Sequence, residues 1–204
     1  MEKAQLTTQQ LYFERVQIKL ALAVLHPPSG PLVLLGLQLQ PAVFDLVDQS
    51  ALLWRLHLRG IDVGTRWQAL ADRWAPIATT GRYAFNDMHA TMAFAAAGRT
   101  DLIRAIADAQ QAVIEGDGND GTDNTRFTTE VGRAATAAMA AFADGDYAQT
   151  VELLRPIRHI SHRFGGSHAQ RDVIDLTLIE AAARGGQQSL ANALRAERAL
   201  QMGR

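Results

Sequence analysis

Three times in its second half the chain runs an alanine-rich stretch into a glycine turn and straight out into an amphipathic one. The turns are Ala97-Gly98-Arg99-Thr100-Asp101, Ala143-Asp144-Gly145-Asp146-Tyr147 and Ala183-Arg184-Gly185-Gly186. Alanine is the strongest helix former and its small side chain lets two helices approach, while glycine allows the tight reversal. From Gly98 to Gly145 and from Gly145 to Gly185 the intervals are 47 and 40 residues; the longer one contains an Asp/Gly-rich insertion. The underlying unit is therefore about 40 residues, a helix pair that cannot bury its apolar face alone and must stack on its neighbours. The pattern predicts an all-α fold, a tetratricopeptide-like right-handed superhelix of antiparallel helix pairs. The middle copy, Phe142-Ala143-Asp144-Gly145-Asp146-Tyr147-Ala148 followed by Leu153-Leu154 and Pro156, comes nearest to such a unit.

Apolar residues recurring at three and four positions place the remaining elements. A first helix is expected over residues 7–25, ended by Pro27, Pro28 and Gly30, and 32–39 reads as a further helical piece because no strand partner lies nearby. Pro41 suits the first position of a helix that runs through Trp54 to Leu58 and stops at Gly60. Further helices are expected over 65–74, ending near Pro76, and over 86–97, 100–115 and 126–143. Residues 147–164 read as a helix kinked at Pro156, followed by one over 167–183 capped by Ser167 and a last one reaching Leu200. The run from Gly116 to Asn124 is a loop. These elements divide the chain into a divergent apolar helical leader, 1–40, and a repeat domain, 41–204. Trp54, Trp67 and Trp74 are expected in the core, the last two on one face because they are seven apart.

Charge narrows the choice of partners. Twenty basic against 21 acidic residues leave a net charge of −1, which gives no reason to expect a nucleic acid. There is no cysteine, so disulfides, thiolate metal sites and cysteine nucleophiles are excluded; this suits a reducing cytosol, and a cytoplasmic location is expected. The start, Met-Glu-Lys-Ala-Gln, lacks the basic-then-apolar order of a secretory signal. The apolar stretches at 16–25 and 31–39 are each shorter than the roughly 20 residues of a membrane span. Pro27, Pro28 and Pro31 separate them, so no membrane partner is expected.

Three segments carry a resemblance beyond the repeat pattern. They are Asp45 to Leu56, continuing to Gly60 and Val63-Gly64-Thr65-Arg66-Trp67; Phe85-Asn86-Asp87-Met88-His89; and Leu153-Leu154-Arg155-Pro156-Ile157-Arg158 running into Gly165-Gly166-Ser167-His168-Ala169-Gln170-Arg171-Asp172-Val173. In order and spacing the chain from about residue 41 onward resembles the C-terminal half of the tetratricopeptide repeat protein 38 family. Members of that family are about twice as long. Before Pro41 the family carries a Trp-His pair inside an apolar helix, where this chain has a proline-interrupted, leucine-rich stretch. The resemblance implies the fold and the candidate residues; the family supplies no established reaction.

Two helix openings carry the distinctive chemistry. In Asn86-Asp87-Met88-His89, Asp87 and His89 diverge by about 200° on a helix, whereas Asn86 shares a face with His89 and Asp87 with Thr91. Such a segment either aims one polar side chain into a groove as a base or donor, or uses Asn86 or Asp87 as a cap with His89 satisfied between helices. In Ser167-His168-Ala169-Gln170-Arg171-Asp172 the helix start and Arg171 suit a carboxylate or phosphate. The alternatives are that Ser167 caps the helix while Arg171 pairs with a carboxylate on a neighbouring repeat, or that the segment takes part in catalysis. The candidate ligand-binding residues are thus Asn86, Asp87, His89, Ser167, His168, Gln170, Arg171 and Asp172.

Other motifs point away from chemistry. His159 and His162 share a face, but a zincin glutamate and a third ligand are absent, so no metal is expected. Counted from Asp117, the twelfth position of a calcium loop falls on Thr128 instead of a bidentate Glu. Ser50 and Ser167 lack a nucleophile-elbow context, and no cofactor motif is present. The expectation is a helical-repeat scaffold or binding protein that takes a protein partner, a peptide or a small polar ligand in its concave groove. The alternative is an enzyme with a polar site around Asp87, His89 and Arg171. A homodimer is expected, because the open end of a half-length array and the apolar 16–39 region need covering.

Overall fold

The computed structural model describes residues 43–116 and 123–202. The expected helices at 7–25 and 32–39, the 1–40 leader, Pro41 and residues 117–122 of the expected loop lie outside them. The described residues are helical throughout and contain no strand. The helices are α1 (Val43–Leu58), α2 (Arg66–Ala78), α3 (Ala84–Ala96), α4 (Thr100–Glu115), α5 (Asp123–Phe127), α6 (Arg133–Ala143), α7 (Tyr147–Ile157), α8 (His168–Arg184) and α9 (Gln188–Met202). A π-helical turn, Thr128–Gly132, joins α5 to α6, and a 3-10 stretch, Arg158–Phe164, extends α7.

The three alanine-to-glycine segments are hinges. At Gly98, Gly145 and Gly186 the chain takes the left-handed conformation and reverses, so α3 packs on α4, α6 on α7 and α8 on α9. In the third hinge the left-handed residue is Gly186, one beyond Gly185. Asp146 caps α7 by accepting from the Gln149 N–H at 3.0 Å, and Ser167 caps α8.

α2 ends at Ala78, near Pro76 as expected, with the proline exposed in its last turn. Pro156 lies inside α7, whose Arg158 N–H still bonds to Leu154 O; beyond Ile157 the chain overwinds into 3-10 turns instead of resuming α7 after a kink.

At the centre lies α3, with every residue from Asp87 to Phe94 buried. A helix buried on all sides needs neighbours all round, and α1, α2, α4 and α6 supply them. Inside this frame α1 also packs on α8, so the first and last hairpins meet. Trp54, fully buried, donates its indole N–H to Thr177 Oγ1 at 2.8 Å. Around it Trp67 and Phe142 lie edge-on or tilted, at ring distances of 6.4 and 5.7 Å. Trp74 is buried as well, bonded to Ser50 Oγ at 2.9 Å. All three tryptophans are thus core residues, as the spacing implied.

The contacts along α1 and α8 fix their relative direction. Asp48 meets Gln170, Trp54 meets Thr177, and Leu58 O accepts from Arg184. Both sets of numbers climb together, so the two helices run parallel. No helix among the described residues is long and apolar enough to cross a membrane.

The Trp54–Thr177 bond gives the first test. Thr177→Val keeps the side-chain shape but strands a buried indole N–H, which costs about 1–3 kcal/mol. Urea unfolding should show that loss, and a midpoint within experimental error of wild type would mean the bond does not hold α1 on α8.

Candidate functional site

The opening of α3 is built from a distance. The helix starts at Ala84, preceded by an extended Tyr83, so Asn86 and Asp87 fall inside its first turn and are not caps. The cap comes from Asn124, 40 positions away in sequence: Oδ1 accepts from the Ala84 N–H at 3.1 Å and Nδ2 donates to Gly81 O at 2.8 Å. Asn124 reads as loop in the sequence, and only its tertiary position gives it this role. It can reach because the π-helical turn brings Gly132 against Ala84, where a Cβ on the glycine would overlap the alanine methyl.

Asp87 and His89 are both buried and face different surroundings. Asp87 Oδ2 accepts from Gln110 Nε2 of α4 at 3.0 Å, and the same amide nitrogen donates to Thr136 Oγ1 of α6 at 3.1 Å. Burial pushes the Asp87 carboxyl up to about 6, and the Gln110 hydrogen bond pulls partly against that shift. On the other side of the helix His89 stacks on Phe85 with ring centres 4.5 Å apart. Its Nδ1 lies 2.8 Å from Phe85 O. A carbonyl oxygen only accepts, so the proton sits on Nδ1 and Nε2 presents a lone pair. That lone pair is buried and has no partner among the described residues. Burial lowers the ring to about 4; the Phe85 hydrogen bond raises it slightly and the nearby Arg55 charge lowers it further.

The opening of α8 approaches α3 through two glycines. Gly165 and Gly166 take positive φ values of 94° and 73°. A Cβ on Gly165 would overlap the Tyr83 hydroxyl, and one on Gly166 the Phe85 ring. Ser167 then closes a capping box: its hydroxyl accepts from the Gln170 N–H at 3.2 Å, and Gln170 Oε1 accepts from the Ser167 N–H at 2.8 Å. Gln170 also donates to Asp48 of α1 at 2.8 Å. The Arg171 guanidinium turns back onto the carbonyls of Gly165 and Gly166 and lies near Tyr83; in the structure its bonds go to these carbonyls, where an inter-repeat carboxylate was expected. Asp172 takes the ionic role. It pairs with Arg198 of α9 through both oxygens and with Arg55 of α1 at 3.5 Å. Arg55 also donates to the Ala51 and Ala169 carbonyls.

The two motifs singled out in the sequence therefore meet at one corner of the fold, but not as one site. Phe85 lies against both His89 and Gly166. The charge near His89 is that of Arg55, whereas Arg171 lies near Tyr83. Asp87 belongs to neither. Asn86 is half buried, and Ser167 and His168 are exposed. Arg55, Asn124 and Arg198 are the members of this neighbourhood that sequence reasoning missed, since each acts through a partner far along the chain. His159 and His162 are exposed on the 3-10 stretch, whose Arg158 binds Asp175 and Glu197 at 2.8 and 2.9 Å. Among the described residues no group of three His, Cys, Asp or Glu is placed to hold a metal ion. No family model matches this chain, and no solved structure matches it significantly.

His89 gives a pH test. In the unfolded chain it gains a proton as the pH falls below about 6.5, whereas in the fold the ring stays neutral down to about 4. The stability tied to the neutral ring is complete above the unfolded value and is lost progressively as the pH falls from there to the folded one. In His89→Gln that slope disappears. The melting-temperature deficit of the variant measured at pH 7 should shrink or reverse at pH 4.5; the same deficit at both values would show that folding does not perturb His89.

Proposed function

We propose that this chain is a helical-repeat binding protein, similar to the C-terminal half of the tetratricopeptide repeat protein 38 family, that holds a peptide or small polar ligand without chemistry. The observation that carries this reading is what the polar side chains do. Ser167 and Gln170 close a capping box, Asp172 joins Arg55 and Arg198, and Arg171 holds the glycine turn. None of them forms an acid–base pair converging on one point, which catalysis by proton transfer requires. The perturbed Asp87 and His89 are shielded from solvent and face different neighbours, so their shifts reflect burial more than a reaction.

The face best suited to a ligand is the rim where α3 and α8 begin. Tyr83, Asn86 and Arg171 are half buried there and His168 is exposed, so donors and an aromatic ring remain accessible beside a rigid turn. Inward of this rim α1, α3, α6 and α8 pack on one another. A ligand is therefore expected along the edge of the array, and the interior stays filled by side chains.

The test is nuclear magnetic resonance of labelled protein titrated with pooled short peptides of mixed charge and, separately, with acetate and inorganic phosphate. Shifts should gather at Tyr83, Asn86, His168 and Arg171, and His168→Ala or Asn86→Ala should weaken binding about tenfold, equivalent to about 1.4 kcal/mol. Shifts confined to another face would overturn the rim, and turnover of any titrant would overturn the non-catalytic reading.

A further inference from the structure

α4 is shallowly embedded in the fold. Of its 16 residues only Ile106 and Gln110 are buried; Leu102 and Ile103 pack at the edge of the core. One of the two deep contacts is therefore polar, and it is the amide that bonds Asp87. On the Asp87 side of α3 every other polar group is neutral. Gln110 and Thr136 are bonded to each other, and Thr91, one turn on and on the same face, has a buried hydroxyl without a partner among the described residues.

Charges on the elements around α3 are engaged elsewhere or exposed. On α4, Asp101, Arg104, Asp108 and Glu115 are exposed, and on α6 the charged residue is Arg133, also exposed. Glu130 of the π-helical turn pairs with Arg163 at 3.0 Å. On α2, Asp72 pairs with Arg99, Arg73 meets Gln49 and Arg66 binds Val63 O. On α1, Asp45 is exposed, Asp48 accepts from Gln170, Arg55 pairs with Asp172, and His57 stacks on Trp54. His89, on α3 itself, lies on the opposite side, bonded to Phe85 O.

We propose that the Asp87 carboxyl is a buried proton site that sets how firmly α4 is held on α3. An ionised carboxylate among neutral dipoles has no cation to offset its lost hydration. Two events relieve it: the carboxylate takes up a proton, or α4 lifts and admits water to it. With the proton bound, α4 stays down. Without it, the opening of α4 becomes easier by the hydration that Asp87 regains. The upward shift of Asp87 agrees in direction with this arrangement. The sign is opposite to that of His89, whose burial opposes protonation, so the two effects can be told apart.

The experiment follows amide exchange of α4 and α7 in wild type and Asp87→Asn between pH 4 and 8, as protection factors corrected for the intrinsic rate. Carbon-13 chemical shifts of the Asp87 carboxyl are recorded in the same wild-type samples. In wild type the carboxyl should titrate well above the ordinary carboxylate range. Between the ordinary carboxylate value and that midpoint α4 protection should fall by up to tenfold per pH unit, the limit for release of one proton on opening, and level off above it, while α7 protection does not fall. In Asp87→Asn the slope on α4 should vanish, leaving it better protected than wild type at pH 8. Wild-type α4 protection that does not change with pH, an equal loss in α7, or the same slope in Asp87→Asn would each overturn the proposal. The wild-type measurement decides the question even where the variant folds poorly.

Discussion

A buried indole N–H needs an acceptor, and for Trp54 that acceptor is Thr177, 123 positions further along the chain. Thr177 can serve because its own proton goes to Val173 O at 2.6 Å, leaving a lone pair for the tryptophan. This requirement fixes α1 against α8 in both direction and height. The neighbouring contacts, Arg55 to Ala169 and Asp172 on one side and Leu58 to Arg184 on the other, follow the same register. With α1 held in this way, α1, α2, α4 and α6 enclose α3, and its polar residues acquire their unusual surroundings.

Enclosure explains why α3 carries perturbed groups. Burial alone raises a carboxyl and lowers an imidazole, and both shifts here are led by desolvation. A catalytic pair would also require convergence on one accessible point. On a helix, side chains two apart cannot provide it, and the partners of Asp87 and His89 lie on different elements. What the arrangement does provide is a central helix whose packing responds to protons in opposite senses on its two sides.

The polar residues at the start of α8 have a mechanical role of a different kind. Gly165 and Gly166 bring the backbone up to Tyr83 and Phe85, and Arg171 then holds the glycine carbonyls. The capping box completes the helix start. The result is a corner held at both the turn and the helix start, with a few accessible polar groups.

The sequence by itself determined the helical class, the three hinges, the Ser167 cap and the tryptophan core. Each follows from interactions between residues close in the chain or from apolar periodicity, and both are visible in one dimension. It also placed Asp87 and His89 on different faces, a consequence of helix geometry alone. Tertiary structure decided the rest. That Asn124 caps α3, that Asp172 rather than Arg171 forms the ionic link between helices, and that Asp87 meets Gln110 all depend on pairs tens of residues apart. No local pattern marks such partners, because each becomes available only when stacking has put its helix beside the other; until α1 met α8, nothing in the chain could say which polar groups would be buried and which would stay in water.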